Sequence, residues 1–212
     1  MPRAAGAFLH LQDTTMFLTK LDVVNECLAS MGESAANSLN ESNSFITSAL
    51  RSLEQATISE QSPGWYFNID RLRLEPTVDG EFYVPHDVLS VDIDRSPNWL
   101  VIRGRRLYNR DKSVYLTDTR PVELFVVRAI PFEDLPYHAQ RMVQAATVVA
   151  FQKSYDGDEL KLRDAQEEYA KARTFLMSDH IRSVRANMLY HGDVAVRQSL
   201  NRFHTGQLPY RG

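Results

Sequence analysis

Residues capable of acid–base or metal chemistry are scattered along the chain. The six histidines stand at no HxH or HExxH spacing, and these are spacings at which histidines commonly bind zinc. The single cysteine, Cys27, excludes a cysteine-based zinc site and any disulfide within the chain. Gly-rich phosphate loops and the GxSxG nucleophile motif do not occur. The sequence therefore predicts no metal and no cofactor, and it favours a structural protein over an enzyme.

Two carboxylates at alternating positions, Asp92 and Asp94, are the best-placed pair for acid–base work. On a strand they would point to the same side, and paired carboxylates at a suitable separation can hydrolyse a glycosidic bond. The aromatic residues Trp65, Tyr66 and Trp99 could stack on sugars. Such acids are more often solvated, and these aromatic residues fall where a strand core is expected. Polysaccharide binding or hydrolysis is therefore an alternative function.

Charged residues in the middle of the chain are ordered by sign. An acidic stretch comes first, made of Glu75, Asp79, Glu81, Asp87, Asp92 and Asp94. A basic stretch interrupted only by Asp111 follows, made of Arg95, Arg103, Arg105, Arg106, Arg110 and Lys112. If the two stretches lie on opposite flanks, copies of the chain could meet head to tail, and such a heterologous contact can close into a ring. Charge pairing between neighbouring strands explains the same order equally well.

The segment Arg103-Gly104-Arg105-Arg106 falls where a hairpin is expected to turn. Its arginines could touch DNA phosphates through salt-sensitive contacts or hold an acidic partner, whereas the alternative is a turn with solvated charges. The net charge of −3 argues against a sequence-specific nucleic-acid binder, which leaves sequence-independent DNA binding as a third possibility. The candidate contact residues are Glu81, Asp92, Asp94, Arg103, Arg105, Arg106 and Arg110.

Helical periodicity flanks this charged middle. In the first helix the apolar residues recur at spacings of four, three, four and three from Phe17 to Met31, and Gly32 fits its end. A second helix runs from about Ile46 to a Gln-Ser-Pro-Gly breaker that ends at Gly64. Two helices joined by a modest polar loop predict an antiparallel hairpin.

Two more helices are predicted in the C-terminal third. One starts near Asp134-Leu135-Pro136, where the aspartate is a candidate cap, and Asp158 is the candidate cap of the last long helix. The last helix keeps a packed seam up to Leu176. Its later apolar residues, Ile181, Val184 and Met188, are out of phase with that seam, which predicts a kink or a change of packing partner near Ser178-Asp179.

The residue pattern in the middle of the chain predicts strands. Apolar and polar residues alternate from Trp65 to Ile69 and, after the phase shift of a bulge, through Leu72 and Leu74. Short polar turns separate the later candidates and favour an antiparallel meander or a small barrel. These candidates are Phe82 to Val84, Val88 to Ile93, Trp99 to Arg103, Arg106 to Tyr108, Val114 to Leu116 and Val122 to Val127.

These elements predict an α+β fold, in which N-terminal and C-terminal helices form a helical bundle and an antiparallel strand-rich domain is inserted between them. The expected segments are an N-terminal extension at 1–14, a helical hairpin at 15–63, the β domain at 64–133, long helices at 134–191 and a C-terminal tail at 192–212. The tail is expected to be loose until a partner binds it. With no long apolar run and no convincing signal peptide, we expect a soluble product without membrane insertion, made in the cytoplasm.

Several motifs, taken in order, resemble one known family. The run LDVVNECLASMGE at 21–33 is similar to the opening helix of tail tubular protein A, the head-to-tail adaptor, or gatekeeper, of T7-like short-tailed phages (podoviruses). GWYFN at 64–68 resembles the start of that family's strand domain, and RGRRLY at 103–108 resembles its hairpin. PFEDLP at 131–136 and the stretch 151–158 resemble its return to helix. The resemblance runs from about Thr19 to Tyr169.

The resemblance implies a structural virion protein at the head–tail junction. It implies a homo-oligomeric ring of twelve copies, whose helical part faces the portal protein and whose strand part faces the tail nozzle protein, tail tubular protein B. Double-stranded DNA would pass through the lumen during ejection. The alternative within the same virion setting is a tail component that binds or hydrolyses host surface polysaccharide.

Overall fold

The computed structural model describes residues 17–92, 95–155 and 158–190. The expected extension at 1–14, the tail at 192–212 and the candidate Asp94 lie outside the described residues. The described residues form four helices and two small antiparallel sheets, which confirms the α+β fold class. Within these ranges no helix combines the length and the apolarity needed to cross a membrane.

Three α-helices pack around a fourth. They are α1 (Lys20–Met31), α2 (Ser44–Gln61), α3 (Tyr137–Ser154) and α4 (Glu159–Tyr190), and α3 contacts each of the other three. Their apolar faces form two adjoining cores. One includes Val23, Leu53, Met142 and Leu176, and the other includes Cys27 and other apolar residues of α1, α2 and α3.

Hydrogen bonds from nearby residues cap several helix ends. These caps agree with the sequence prediction except at Asp134. Thr19 and Asp22 form a capping box at the start of α1, and Gly32 caps its end, as predicted. The amide of Leu160 donates to the Asp158 carboxylate at 2.9 Å, which confirms Asp158 as a cap. Asp134 was wrongly predicted as a cap, because it belongs to a short 3₁₀ turn (Phe132–Asp134). Pro136 takes the cap position of α3 and contributes no side-chain bond.

Six strands form the two sheets. They are β1 (Ile69–Leu74), β2 (Val88–Val91), β3 (Leu100–Arg103), β4 (Arg106–Asn109), β5 (Val114–Tyr115) and β6 (Val122–Arg128). The first sheet has the order β1-β6-β2 and the second the order β3-β4-β5. Buried side chains from both sheets, among them Leu74, Leu107 and Val126, form one shared core.

The strand predicted from Trp65 begins only at Ile69, since residues 65–68 form a turn and Ile69–Leu74 is β1. Trp65 is buried in the helical core, so its burial does not reflect a strand face. The predicted bulge is also misplaced. β1 pairs with β6 in continuous register, and the irregularity lies between Val88 and Ser90 in the pairing of β2 with β6.

Buried amides join the helices to the sheets. Asn68 accepts the amide of Trp65 at 2.7 Å and donates to the carbonyls of Gln61 and Arg128 at 3.0 and 2.9 Å. The side chain of Gln61 in turn binds both backbone groups of Ile130 at 2.9 Å. The chain segment that enters the sheets is thereby tied to the segment that leaves them.

The long helix α4 runs past this junction without interruption. The amide of Tyr66 donates to Nδ1 of His180 at 3.0 Å, and the Trp65 ring meets the imidazole edge-on at 5.6 Å. The break in apolar phase near Ser178 therefore coincides with a change of packing partner, which is one of the two predicted explanations.

Candidate interaction surface

A two-residue turn joins β3 to β4 at the arginine cluster. Arg103 and Arg106 are paired across the hairpin, and the two residues between them, Gly104 and Arg105, have φ of 56° and 64°. Positive φ at both central positions is the geometry of a type I′ turn, whose twist matches that of the strands. Arginine is an unusual residue at such a position, because its Cβ is strained there. Arg105 is held by its guanidinium, which donates to the Val84 carbonyl, and by its own carbonyl, which accepts the Val84 amide at 3.0 Å.

One face of the β3-β4-β5 sheet carries stacked arginine and tyrosine side chains. The Arg103 guanidinium lies 3.8 Å from the centroid of the Tyr108 ring, and Tyr108 meets Tyr115 edge-on at 5.3 Å. The Arg106 guanidinium lies 4.0 Å from the Tyr115 centroid and 5.9 Å from that of Tyr83. We call Tyr83, Arg103, Arg106, Tyr108 and Tyr115 the Arg/Tyr face. Arg106 and Tyr108 fall on one side because strand residues two apart point the same way, and the other three members lie there because they are their cross-strand partners.

The same face holds a charge pair. Arg106 forms a salt bridge with Glu81, and the Tyr83 hydroxyl donates to the Glu81 carboxylate at 2.8 Å. That hydrogen bond raises the pKa of Tyr83, so the phenol stays protonated as a donor. Tyr83 and Tyr115 remain 50% and 38% exposed although their polar neighbours are already fixed. A partner could therefore contact preordered rings.

The other candidate contact residues lie apart from the hairpin tip. Arg110 is exposed in the turn after β4, at the opposite end of the hairpin. Asp92 follows β2, its amide donates to the Phe125 carbonyl at 2.9 Å, and its carboxylate lies 3.6 Å from Arg95. The structure thus brings together Glu81, Arg103, Arg105 and Arg106, and it places Arg110 and Asp92 elsewhere.

Several acidic residues of the middle segment are paired within the chain. Besides Glu81 with Arg106 and Asp92 with Arg95, Asp87 forms a salt bridge with Arg128. Neutralisation between neighbouring segments is therefore present, as one of the two sequence explanations expected. A contact between copies through the remaining charges stays a prediction.

The residues proposed for sugar chemistry are placed in structural roles where the structure describes them. Trp65 is only 4% exposed, and its indole N–H donates to the Glu60 carbonyl at 2.7 Å. Trp99 packs against the shared sheet core. Within the described part of the chain, no three histidine, cysteine, aspartate or glutamate side chains lie close enough to hold a metal ion.

The sequence indicates the arginines of this face as contact residues but not its tyrosines. The sequence contains a signal for Tyr108, because this residue follows Arg106 by two positions on one predicted strand and so points to the same side. Tyr83 and Tyr115 could not be assigned in the same way. Their place beside Arg106 depends on the pairing of Tyr83 with Arg106 and of Tyr115 with Tyr108.

Two comparisons with known proteins extend these observations. The model of the Tube family, described as tail tubular protein, matches residues 21–186, a range that contains all six strands and most of the four helices. Tail tubular protein A of Klebsiella phage KP34 is 28% identical over 168 residues, which is 79% of this chain and 90% of that relative. The matched range takes in both the helical cores and the Arg/Tyr face.

Proposed function

The chain belongs to the tail tubular protein family, and from that premise we propose that it is a subunit of a ring-shaped adaptor between the head and the tail of a phage. As a member of this family it is a structural protein of a phage tail and a component of the virion. The resemblance inferred from the ordered sequence motifs is thereby confirmed at the level of the family.

In the proposed assembly, twelve copies form a closed ring. The helices face the portal protein and the sheets face the tail nozzle protein, tail tubular protein B. Double-stranded DNA passes through the lumen when the genome is ejected. Such a subunit acts through its contacts, and we propose no enzymatic activity for it.

The Arg/Tyr face is the observation that supports this function. Tyrosine and arginine are enriched at the energetic centres of protein interfaces. Here the rings and guanidinium groups are stacked on each other, so that binding a partner would order few additional side chains. The face lies on the second sheet, in the strand part that would meet the nozzle. Of the aromatic residues considered for polysaccharide binding, Trp65 is buried and Tyr66 and Trp99 are half-buried, so they offer less exposed ring surface than the Arg/Tyr face does.

Native mass spectrometry of the purified chain, alone and mixed with the portal and nozzle proteins of its phage, tests the proposal. We expect a closed oligomer that binds both partners. A chain that stays monomeric under all these conditions would contradict the proposed ring.

A single substitution tests the role of the Arg/Tyr face. Arg105 and Arg106 bind their own chain, so their reversal would also disturb the fold. Arg103 is exposed, and Arg103→Glu should weaken nozzle binding by about 10- to 100-fold, the size of an interface hot spot. Arg51→Glu, at an exposed position on α2, is the matched control. Equal nozzle binding by both variants would remove the face from the interface.

A further inference from the structure

The apolar stripe of α4 changes direction near Leu176. Up to that residue the stripe faces the helical cores through Ala165, Tyr169, Ala172 and Leu176. Beyond it, Met177, Ile181 and Val184 recur at spacings of four and three and form a second stripe. At 3.6 residues per turn the second stripe lies about 100° around the helix from the first. We call these three residues the α4 ridge.

The α4 ridge is left without a core of its own. Met177 and Ile181 are 40% and 44% exposed, and neither belongs to a hydrophobic core of the described residues. The helix is held here by His180, which accepts the Tyr66 amide and lies at the edge of the ridge, three residues after Met177 and four before Val184. An apolar stripe sustained along an exposed helix is typical of a face that packs against another helix.

A groove lies between α1 and α4, above α3. Its volume is about 530 Å³, and alanines from the three helices line it: Ala29, Ala145, Ala165 and Ala172. Small side chains leave room for large ones from a facing helix, as in the packing of ridges into grooves. We call this the α1–α4 groove.

Charge also favours a match between the two surfaces. Three acidic residues of the groove, Glu26, Asp164 and Glu168, outnumber its two basic residues. Along the ridge segment 177–185 the order is reversed, because Arg182 and Arg185 outnumber Asp179. Within the chain Glu168 pairs with Lys171 and Arg182 pairs with Asp179, which leaves Glu26 and Asp164 of the groove and Arg185 of the ridge segment to attract each other between copies.

The ridge cannot reach the groove of its own chain. The ridge and one wall of the groove belong to the same continuous helix, α4. Their separation can be followed along the neighbouring helix α3. The ridge end of α4 is near His138 through Asp179 at 3.5 Å, whereas Ser30 in the groove binds Gln152 at 2.9 Å. His138 and Gln152 are fourteen positions apart, which is about 21 Å along α3. At their nearest point, Ala172 of the groove and Met177 of the ridge, the two surfaces face different sides of the same helix, so α4 cannot bring its ridge onto its own groove. An occupant of this kind must come from a second molecule.

We propose that the α4 ridge of one copy packs into the α1–α4 groove of the next copy. The inference rests on the proposed ring and names the contact that builds it. Because ridge and groove are different surfaces, the contact is heterologous, and repetition closes a ring when the rotation between copies permits.

Two complementary variants test the contact. Ile181→Glu places a charge on the ridge and leaves the groove intact, and Ala29→Trp fills the groove and leaves the ridge intact. Both positions are exposed, and Gln166→Glu and Ala150→Trp make the same changes at exposed positions outside the two surfaces. Native mass spectrometry should find rings for the wild type and both controls, and monomers for each variant alone. A one-to-one mixture of the two variants retains one working contact and should give heterodimers and nothing larger.

A second experiment does not require either single variant to lose its rings. The double variant Ala29→Cys, Ile181→Cys should form disulfides between copies on oxidation and give a ladder of linked chains, since the two positions are too far apart to pair within one chain. Rings that survive both single variants, or a double variant without linked chains, would overturn the contact and leave the proposed function standing. A wild type that stays monomeric with the portal protein present would overturn both.

Discussion

Cys27 is fully buried in the helical core, and its environment governs its chemistry. Burial and, to a smaller extent, the nearby Glu26 raise the pKa of the thiol to about 12. Because the thiolate is the reactive species, the buried thiol stays protonated and unreactive at pH 8 in the folded state. We expect the native protein to react with Ellman's reagent only as fast as it unfolds, and to react at once in urea. Fast reaction of the native chain at pH 8 would contradict this burial, and Cys27→Ala gives the blank.

His180 should make the stability of the fold depend on pH. Its Nδ1 accepts the Tyr66 amide, and burial, with a contribution from Arg95, lowers its pKa from the ordinary 6.5. A lowered pKa means that the unfolded chain takes up the proton first. The contribution of His180 is therefore complete above pH 6.5 and declines as the pH falls below that value.

Urea unfolding at pH 7.5 and 5.5 measures this effect. His180→Gln keeps an acceptor for the Tyr66 amide but does not titrate, so it should lose less stability on acidification than the wild type. His86→Gln replaces an exposed histidine and should behave as the wild type does. Identical pH dependence in all three proteins would exclude His180 as the source.

At the scale of elements, the junction between helices and sheets depends on buried amides. Asn68 is fully buried and makes three hydrogen bonds to backbone groups. Asn68→Ala removes all three and takes this partner from the Trp65 amide and the Arg128 carbonyl, whereas the Gln61 carbonyl still accepts the Gly64 amide at 3.1 Å. Each group left unsatisfied costs about 1–3 kcal/mol. We expect the free energy of unfolding to fall by about 3 kcal/mol or more, whereas Asn40→Ala, at an exposed site, should change it by less than about 0.5 kcal/mol. A loss below about 1 kcal/mol for Asn68→Ala would mean that the junction relaxes around the gap.

The elements differ in how far sequence could predict them. The apolar spacings of α1 and α4 and the hairpin at Gly104 were read correctly, because each depends on local periodicity or turn chemistry. The alternation at 65–68 predicts a strand where the structure has a turn, since an aromatic residue buried against helices has the same local pattern as one in a sheet. Gln61 and Asn68 were overlooked, because amides carry no periodic signal and their burial depends on partners distant in sequence.

The same distinction holds for the candidate surface. Arg103, Arg105 and Arg106 were found from a short cluster, but the stacking partners Tyr83 and Tyr115 depend on strand pairing. The order of acidic and basic residues did not reveal that Glu81 and Arg106 neutralise each other. The change of phase in α4, in contrast, is visible in the sequence. In the proposed contact between copies it marks the start of the α4 ridge.

At the scale of the whole molecule, the distribution of charge predicts how the chain meets DNA. The net charge is −3, and Arg105 and Arg106 bind their own chain. Arg103 and Arg110 are therefore the exposed arginines of the hairpin that a single copy offers to a duplex. Neutralising two phosphates gives a slope of about −1.8 for the logarithm of the binding constant against the logarithm of salt concentration.

Fluorescence anisotropy with a labelled duplex between 50 and 200 mM salt measures that slope. We expect weak binding by the monomer with a slope near −2, and the double variant Arg103→Glu, Arg110→Glu should abolish it, while Arg51→Glu should not. In the proposed ring every copy would carry the same pair, so the slope should be steeper for a duplex long enough to thread the ring if the pair faces the lumen, and unchanged if it faces the nozzle protein alone. A steep slope for the monomer itself would instead identify a DNA-binding protein that needs no ring. DNA would then be the primary ligand of the chain, and the tail contacts would be secondary.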